Sequence, residues 1–344
     1  MLAICSIMEI GDKMNNSKIL ITGFSGFVAR HFVEFLYKEN INAEIYGIDI
    51  KEPQYSLNTY EPQIKISFQK LDMTNDKELH NLFERFSPDY ILHLAAYSSV
   101  AYSWHNPIDS FMNNSNIFLN LLKTVQDYNS ECRILSVGSS EEYGNVRKED
   151  LPIRENQMLN PNSPYAVARV SQEMLSKIFA ETFHLNIVLT RSFNHIGPMQ
   201  DDRFVVPSFI KRILKIKTDG QDEGIIETGD VSIIRDFVDV RDVVRAYYLL
   251  LLKGKSGEVY NICSGKMVSL INVLNMIAEQ IGVKITTRVN PEYVRPNDNK
   301  IMVGSPLKIE SELGWHSEIS LNDTLNDMIA YTISKENQHI NGEA

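Results

Sequence analysis

From Lys18 onward, apolar and polar positions follow two alternating rhythms. Short, nearly continuous apolar runs suit strands buried on both faces: "KILITG" from 18, "AEIYGIDI" at 43–50, "IKISFQKLDM" at 64–73, "PDYILHLAA" at 88–96, "CRILSVGSS" at 132–140 and "LNIVLTRSF" at 185–193. Between them, 27–40, 75–86, 108–128 and 165–183 carry helical spacing. Such alternation predicts βαβ units, and right-handed crossovers then give a parallel α/β sheet covered by helices on both faces. The rhythm breaks after 194. Helices near 204–217, 239–254 and 269–281, separated by short strands, predict a smaller α/β lobe over 194–335. Part of 233–262 is expected to return and complete the main sheet of 17–193. Residues 1–16 read as a loosely attached extension, with Met8 and Met14 as alternative starts, and the polar tail 336–344 as frayed.

Composition narrows the class. Hydrophobic residues are 43% and charged residues 23% of 344, as in an ordinary globular chain. A formal charge of -10 argues against nucleic acid or an anionic membrane as partner. An anionic substrate would need locally placed arginines or helix N-termini. Cys5, Cys132 and Cys263 lie far apart, without metal-ligand spacing. They read as reduced thiols of a cytoplasmic protein, and no metal site is expected. No apolar run reaches the roughly 20 residues that span a bilayer.

"TGFSGFVA" follows the first strand and opens the first helix. Gly23 permits the tight turn, Gly26 the close approach of a pyrophosphate, and Ala29 close helix–strand packing, with Ser25 and Phe27 on the same loop. Asp49 ends the second strand 26 residues after Gly23, where a carboxylate bonds adenine-ribose hydroxyls. This is the Rossmann arrangement of an NAD(P)-binding domain. A carboxylate at 49 repels a 2′-phosphate, and the nearest basic residue is Lys51, so NAD(H) is favoured and NADP(H) stays open. Asp72 either bonds the adenine amino group, with Met73 beside it, or caps a helix beginning near Thr74. Leu94, Ala95 and Ala96 end the fourth strand, and Tyr97 and Ser98 follow it, where the cofactor passes.

Four motifs in order, "TGFSGFVA", "HLAAYSSV" (93–100), "VGSSEEYG" (137–144) and "SPYAVAR" (163–169), resemble the extended short-chain dehydrogenase/reductases that modify nucleotide sugars. "RSFNHIGPMQDDRFVVPSF", "RDFVDVRDVVRAY", "YNICSG" and "RP" at 295–296 are similar to the branch holding GDP-mannose 4,6-dehydratase and GDP-4-keto-6-deoxymannose reductase. The resemblance covers about 18–333. It implies a GDP-sugar substrate and a subunit pairing through helix 108–128 into a homodimer or homotetramer. The same helix supplies Asn114, which matches a residue supporting the active site.

The chemistry fits. Moving hydride to or from a sugar C4 requires an acid or base on the C4 oxygen. A phenol serves if nearby positive charge favours its ionised form. Tyr165 is that phenol by resemblance, and Ser139 the hydroxyl that bonds the same oxygen, with Ser140 beside it. Arg169, where the family has lysine, lies one helical turn after Tyr165 on the same face, and its permanent charge suits the task. Glu141 matches the carboxylate that in dehydratases acts at C5–C6. Glu142 stands where an apolar residue is usual. Asn194, Val205, Arg235 and Arg295 match substrate-binding positions, the arginines suiting a diphosphate. His195 reads as a nicotinamide contact or packing, and His93 as a satisfied core histidine. The leading expectation is reduction of a GDP-4-keto-6-deoxy sugar, because the C-terminal motifs lie nearer the reductase. A GDP-mannose or GDP-heptose 4,6-dehydratase is the alternative. A 4-epimerase, a C4 dehydrogenase and a non-catalytic nucleotide-binding regulator are minor readings.

Overall fold

The computed structural model describes residues 14–294 and 299–340, the side chains through 337. Arg295, Cys5 and most of the expected N-terminal extension lie outside the described residues.

Seven parallel strands form the central sheet. β1 (Ser17–Thr22), β2 (Ala43–Asp49), β3 (Ile64–Lys70), β4 (Tyr90–His93), β5 (Arg133–Ser139) and β6 (Asn186–Ser192) lie in the order β3-β2-β1-β4-β5-β6. Val259–Ile262 adds the seventh strand beside β6, with Val259 opposite Leu189. This is the doubly wound order, which reverses between β1 and β4 and opens a crevice at their carboxyl ends. The burial along β1, with Ile19, Leu20 and Ile21 fully enclosed, shows why its sequence is apolar without alternation.

Helices cover both faces. α1 (Phe27–Lys38) and the helix Val240–Lys253 enclose one side through Phe32, Val33, Leu36, Val243, Tyr247 and Leu250. On the other lie α2 (Asp76–Arg85) and α4 (Pro107–Tyr128), which meet the sheet through Leu79, Leu82, Phe118 and Leu121, and α5 (Pro164–Phe183), which packs against α4. A short helix, α3 (Val100–His105), for which the sequence pattern predicted no element, precedes α4. Six residues are too few to show a helical period, but Ser99 caps it by accepting the Tyr102 N–H.

The C-terminal lobe gathers helices Val205–Thr218, Leu270–Ile281 and Leu321–Ile340 around Phe209, Ile213, Leu274, Ile277 and Leu325. Three of its strands have only two residues each. Ile234–Arg235 lies between Val268–Ser269 and Ile301–Met302, and Glu223–Thr228 pairs in parallel with Lys284–Val289.

Two boundaries differ from expectation. The extension was expected to be loose through residue 16, yet Met14 is fully buried and Asn16 donates its N–H to the Asn42 carbonyl. Of the tail expected to fray over 336–344, residues 336–340 continue the last helix, anchored upstream by Leu325 and Met328, and 341–344 lie outside the described residues. Among the described residues no helix is long and apolar enough to cross a membrane, and no group of side chains is arranged to hold a metal.

Candidate active site

The glycine loop sits at the β1–α1 junction. Gly23 has φ +69°, and a Cβ there would lie 2.8 Å from the Ala95 amide, so only glycine fits without strain. Gly26 caps α1 with backbone alone, leaving the first amides of the helix without a side-chain partner. Asp49 closes the loop from β2: its Oδ2 accepts the Ser25 N–H at 3.0 Å and its Oδ1 the Lys51 N–H at 3.1 Å. Ser25 Oγ donates to the Lys51 carbonyl at 2.6 Å. An open, uncapped helix N-terminus behind a glycine that tolerates no Cβ fits a dinucleotide pyrophosphate.

Around this cradle, Thr22 Oγ1 accepts the Ala95 N–H at 3.1 Å and fixes the start of the β4 loop that carries Leu94, Ala95 and Ala96. Asn114 is buried and clamps the same loop, accepting the Tyr97 N–H at 2.8 Å and donating to its carbonyl at 3.2 Å. Ser98 is exposed at the end of the loop. Asp72 folds back locally, its Oδ1 accepting the Thr74 N–H and hydroxyl, while α2 begins later with Asn75 as its cap. Asp72 is therefore not a helix cap, and Met73 beside it is buried. His93 is only half satisfied. Its Nδ1 lies 2.9 Å from Thr22 Oγ1, but Nε2 is enclosed without a partner. Burial, then the charge of Arg169, holds His93 down at about 3, so it is neutral. Phe27, at the start of α1, stacks on His195 with ring centroids 5.9 Å apart, and desolvation lowers His195 as well.

The second half of the site lies where β5 ends and α5 begins. Ser163 caps α5 by accepting the Ala166 N–H at 3.1 Å, and Pro164 takes the first turn. That cap starts the helix at Pro164, which puts Tyr165 in its first turn and Arg169 one turn further on. Tyr165 is 6% exposed, and its hydroxyl accepts from Arg169 Nε at 3.1 Å. α5 packs on β5 and on the 3-10 turn Ser140–Tyr143. Ser139 caps that turn, its Oγ accepting the Glu141 N–H at 3.3 Å. Ser140 is buried and Glu141 half-buried.

The structure also shows a feature that the sequence did not disclose. Glu142 is fully enclosed, and its Oε1 accepts the Ser139 N–H at 2.7 Å. Gly138 leaves the room, since a Cβ there would lie 2.5 Å from that oxygen. Behind it, Arg191 grips Glu173 with two bonds of 2.8 and 2.7 Å, donates to the Glu155 carbonyl at 2.9 Å and lies 4.7 Å from the Tyr143 ring centroid. Its Nε is 3.9 Å from Glu142 Oε2. Burial alone would raise Glu173, but the Arg191 fork and Lys177 hold it at about 2. Glu142 goes the other way: burial, then the Glu173 charge, raises its carboxyl well above the ordinary range, against the pull of the Ser139 N–H and Arg191. Two signals lay in the sequence: Glu142 at a usually apolar position, and an arginine inside an apolar strand, "LNIVLTRSF", which needs a buried partner.

An acid kept neutral in the fold but free to ionise in the unfolded chain weakens stability as pH climbs above its unfolded value of about 4.3. The unfolded chain has then released a proton that the native state retains. Glu142→Gln keeps the acceptor for Ser139 and removes this penalty. Its stability relative to the parent is expected to rise between pH 5 and pH 8, read by urea unfolding at both; an unchanging difference would refute the assignment.

Asn194 is half-buried in the short strand Asn194–Ile196, paired with Phe237–Asp239. Val205 begins the helix that follows, partly exposed. Arg235 is 6% exposed, and its Nη1 donates to the carbonyls of Ile234 and Asn299 at 3.0 and 2.7 Å. The arrangement thus has two parts at one end of the sheet, a nucleotide cradle and a Ser–Tyr–Arg group.

Fold and site together define an extended short-chain dehydrogenase/reductase, an oxidoreductase-type enzyme class. The chain belongs to the family described as GDP-mannose 4,6 dehydratase, whose model matches residues 20–328. It is 29% identical to the GDP-6-deoxy-D-mannose reductase of Pseudomonas aeruginosa, over 91% of this chain and 96% of that one. With the GDP-mannose 4,6-dehydratase of Yersinia enterocolitica it shares 26% identity, covering 94% and 95% of the two chains. Among solved structures, RMD from Pseudomonas aeruginosa complexed with NADPH superposes with a TM-score of 0.78 at 27% identity, over 93% of this chain and 98% of that one.

Proposed function

We propose that this protein reduces the C4 keto group of a GDP-4-keto-6-deoxy sugar, of the GDP-6-deoxy-mannose or rhamnose type. The observation that carries this reading is the bond from Arg169 Nε to the Tyr165 hydroxyl at 3.1 Å, on a helix packed against the strand that ends in Ser139. The likeness to the Pseudomonas aeruginosa reductase over 91% of the chain supports the choice of reaction.

Gly23, Ser25, Gly26, Phe27 and Asp49 hold the nicotinamide cofactor, which when bound supplies the hydride. Asp49 favours NAD(H), since its carboxylate would repel a 2′-phosphate. Tyr165 gives its proton to the C4 oxygen while the Ser139 hydroxyl bonds that oxygen. Arg169 stabilises the phenolate left behind. Asn194, Val205 and Arg235, with Arg295 from outside the described residues, bind the sugar diphosphate. α4 and α5 expose Ile108, Met112, Met174 and Ile178, an apolar face that suits a homodimer. The buried free thiols of Cys132 and Cys263 suit a cytoplasmic setting.

A second reading, the 4,6-dehydratase, has Glu141 in its favour, placed next to Ser139 with its N–H on the serine oxygen. Proton NMR separates the two. Incubation with GDP-mannose and NAD is expected to leave the sugar unchanged, whereas the 4-keto-6-deoxy sugar with NADH is expected to be consumed. A new C6 methyl doublet in the first tube would replace the reductase with the dehydratase.

A further inference from the structure

Arginine poses a difficulty for this site that lysine does not. Lysine ends in a rotating ammonium with three donors, whereas arginine carries a rigid planar fork whose Nε lies one atom nearer the backbone. For Nε to meet the Tyr165 hydroxyl, the whole guanidinium plane has to be held.

Gln172, 2% exposed and one turn along α5, does the holding. Arg169 Nη1 donates to Gln172 Oε1 at 2.7 Å and to the Val137 carbonyl at 3.1 Å, which uses both of its hydrogens. Gln172 Nε2 in turn donates to Ser136 Oγ at 2.9 Å and to the same Val137 carbonyl at 3.1 Å. Ser136 Oγ lies 3.1 Å from Ser176 Oγ. The donors fix the amide: turned over, its NH2 would face the Nη1 donor and its oxygen the Val137 carbonyl.

Among the described residues, no carboxylate forms an ion pair with the guanidinium. The titratable groups that act on it from neighbouring elements are His93 of β4 and Tyr247 of the helix Val240–Lys253. His93 is neutral, as described, and burial pushes Tyr247 up, so it is neutral too. Among the described side chains, Gln172 alone gives Nη1 an acceptor.

We infer that Gln172 is a positioning residue that fits an arginine into this site, turning the guanidinium of Arg169 so that its Nε faces the Tyr165 hydroxyl. The inference rests on the reading of Tyr165 and Arg169 as the acid–base pair.

The test is a cycle of Gln172→Met, Arg169→Lys and the double variant, assayed on the 4-keto-6-deoxy GDP-sugar with NADH. Gln172→Met is expected to lower kcat by about 100-fold, the scale of a small misplacement of a catalytic group, with KM little changed. In the Arg169→Lys background, the same change is expected to cost little, because an ammonium does not need the amide. Equal losses in both backgrounds, or none in either, would overturn the inference. A second readout needs no substrate: the ¹H–¹⁵N spectrum of the arginine Nε–H groups. A protected Arg169 signal is expected in the parent and is expected to vanish in Gln172→Met; its persistence would sink the inference whatever the reaction is. Should Gln172→Met fail to fold, Gln172→Glu keeps volume and acceptor and is expected to retain the signal, and loss there would count against it. Tyr165→Phe, run alongside, tests the acid–base reading separately: full activity there with a Gln172-dependent Nε signal would reject the reading and spare the positioning.

Discussion

Replacing Tyr165 with phenylalanine is expected to lower turnover by about 10²- to 10⁴-fold, the range lost when a positioned acid or base is removed. The change deletes one oxygen. The ring keeps its place under the Ser163 cap, and Arg169 keeps its bonds to Gln172 and Val137. Leaving Nε without an acceptor costs stability, about 1–3 kcal/mol for a buried donor and more where the group is charged. It does not touch the glycine loop, so NADH binding, followed by fluorescence, is expected to persist. Turnover that survived with binding would remove Tyr165 from the chemistry and with it the main support for a reductase.

The second large effect concerns stability. Arg191→Met is expected to destabilise the fold by about 3–5 kcal/mol, the cost of breaking a buried ion pair from one side. Methionine fills much of the volume but provides no charge. Glu173, 4% exposed, would retain only the bond from Lys177, and Glu142 would lose its nearest cation. Guanidinium chloride unfolding reads the loss directly. A change below about 1 kcal/mol, the range of an exposed pair, would mean that water reaches the cluster. Because Glu142 also holds the Ser139 N–H, the variant is expected to lose activity before it unfolds.

The central fold was legible because its physics is local. A strand buried on both faces must be apolar throughout, and an amphipathic helix must repeat every 3.6 residues, so β1 to β6 and α1 to α5, except the short α3, left readable patterns. The glycine loop was legible for the same reason: Gly23 answers to a backbone requirement within a few residues. The C-terminal lobe was less so. Strands of two residues, such as Ile234–Arg235 and Ile301–Met302, are too short to carry a period.

Polar partners far apart in sequence were the hardest to see. Glu142 and Arg191 meet across 49 residues, and neither position alone reveals the other. Gln172 reads in the sequence as an ordinary helix residue; only the register of α5 against β5 shows that it faces Val137 and Ser136. Asp72 was legible as a choice between two roles, and the structure removes one, since the helix starts three residues later than a cap at 72 would require.

The seventh strand, Val259–Ile262, also bears on how the chain is made. It lies more than sixty residues beyond β6, so a ribosome delivers the first six strands and the first part of the second lobe before the sheet can close. Through that interval β6 presents an open edge of unpaired amides and carbonyls, the kind of surface on which nascent chains aggregate. The helix Val240–Lys253 emerges just ahead of the strand and already packs on β5. It can shelter the sheet's face but not its edge, so the moment of greatest exposure in synthesis ends only when residue 262 leaves the tunnel.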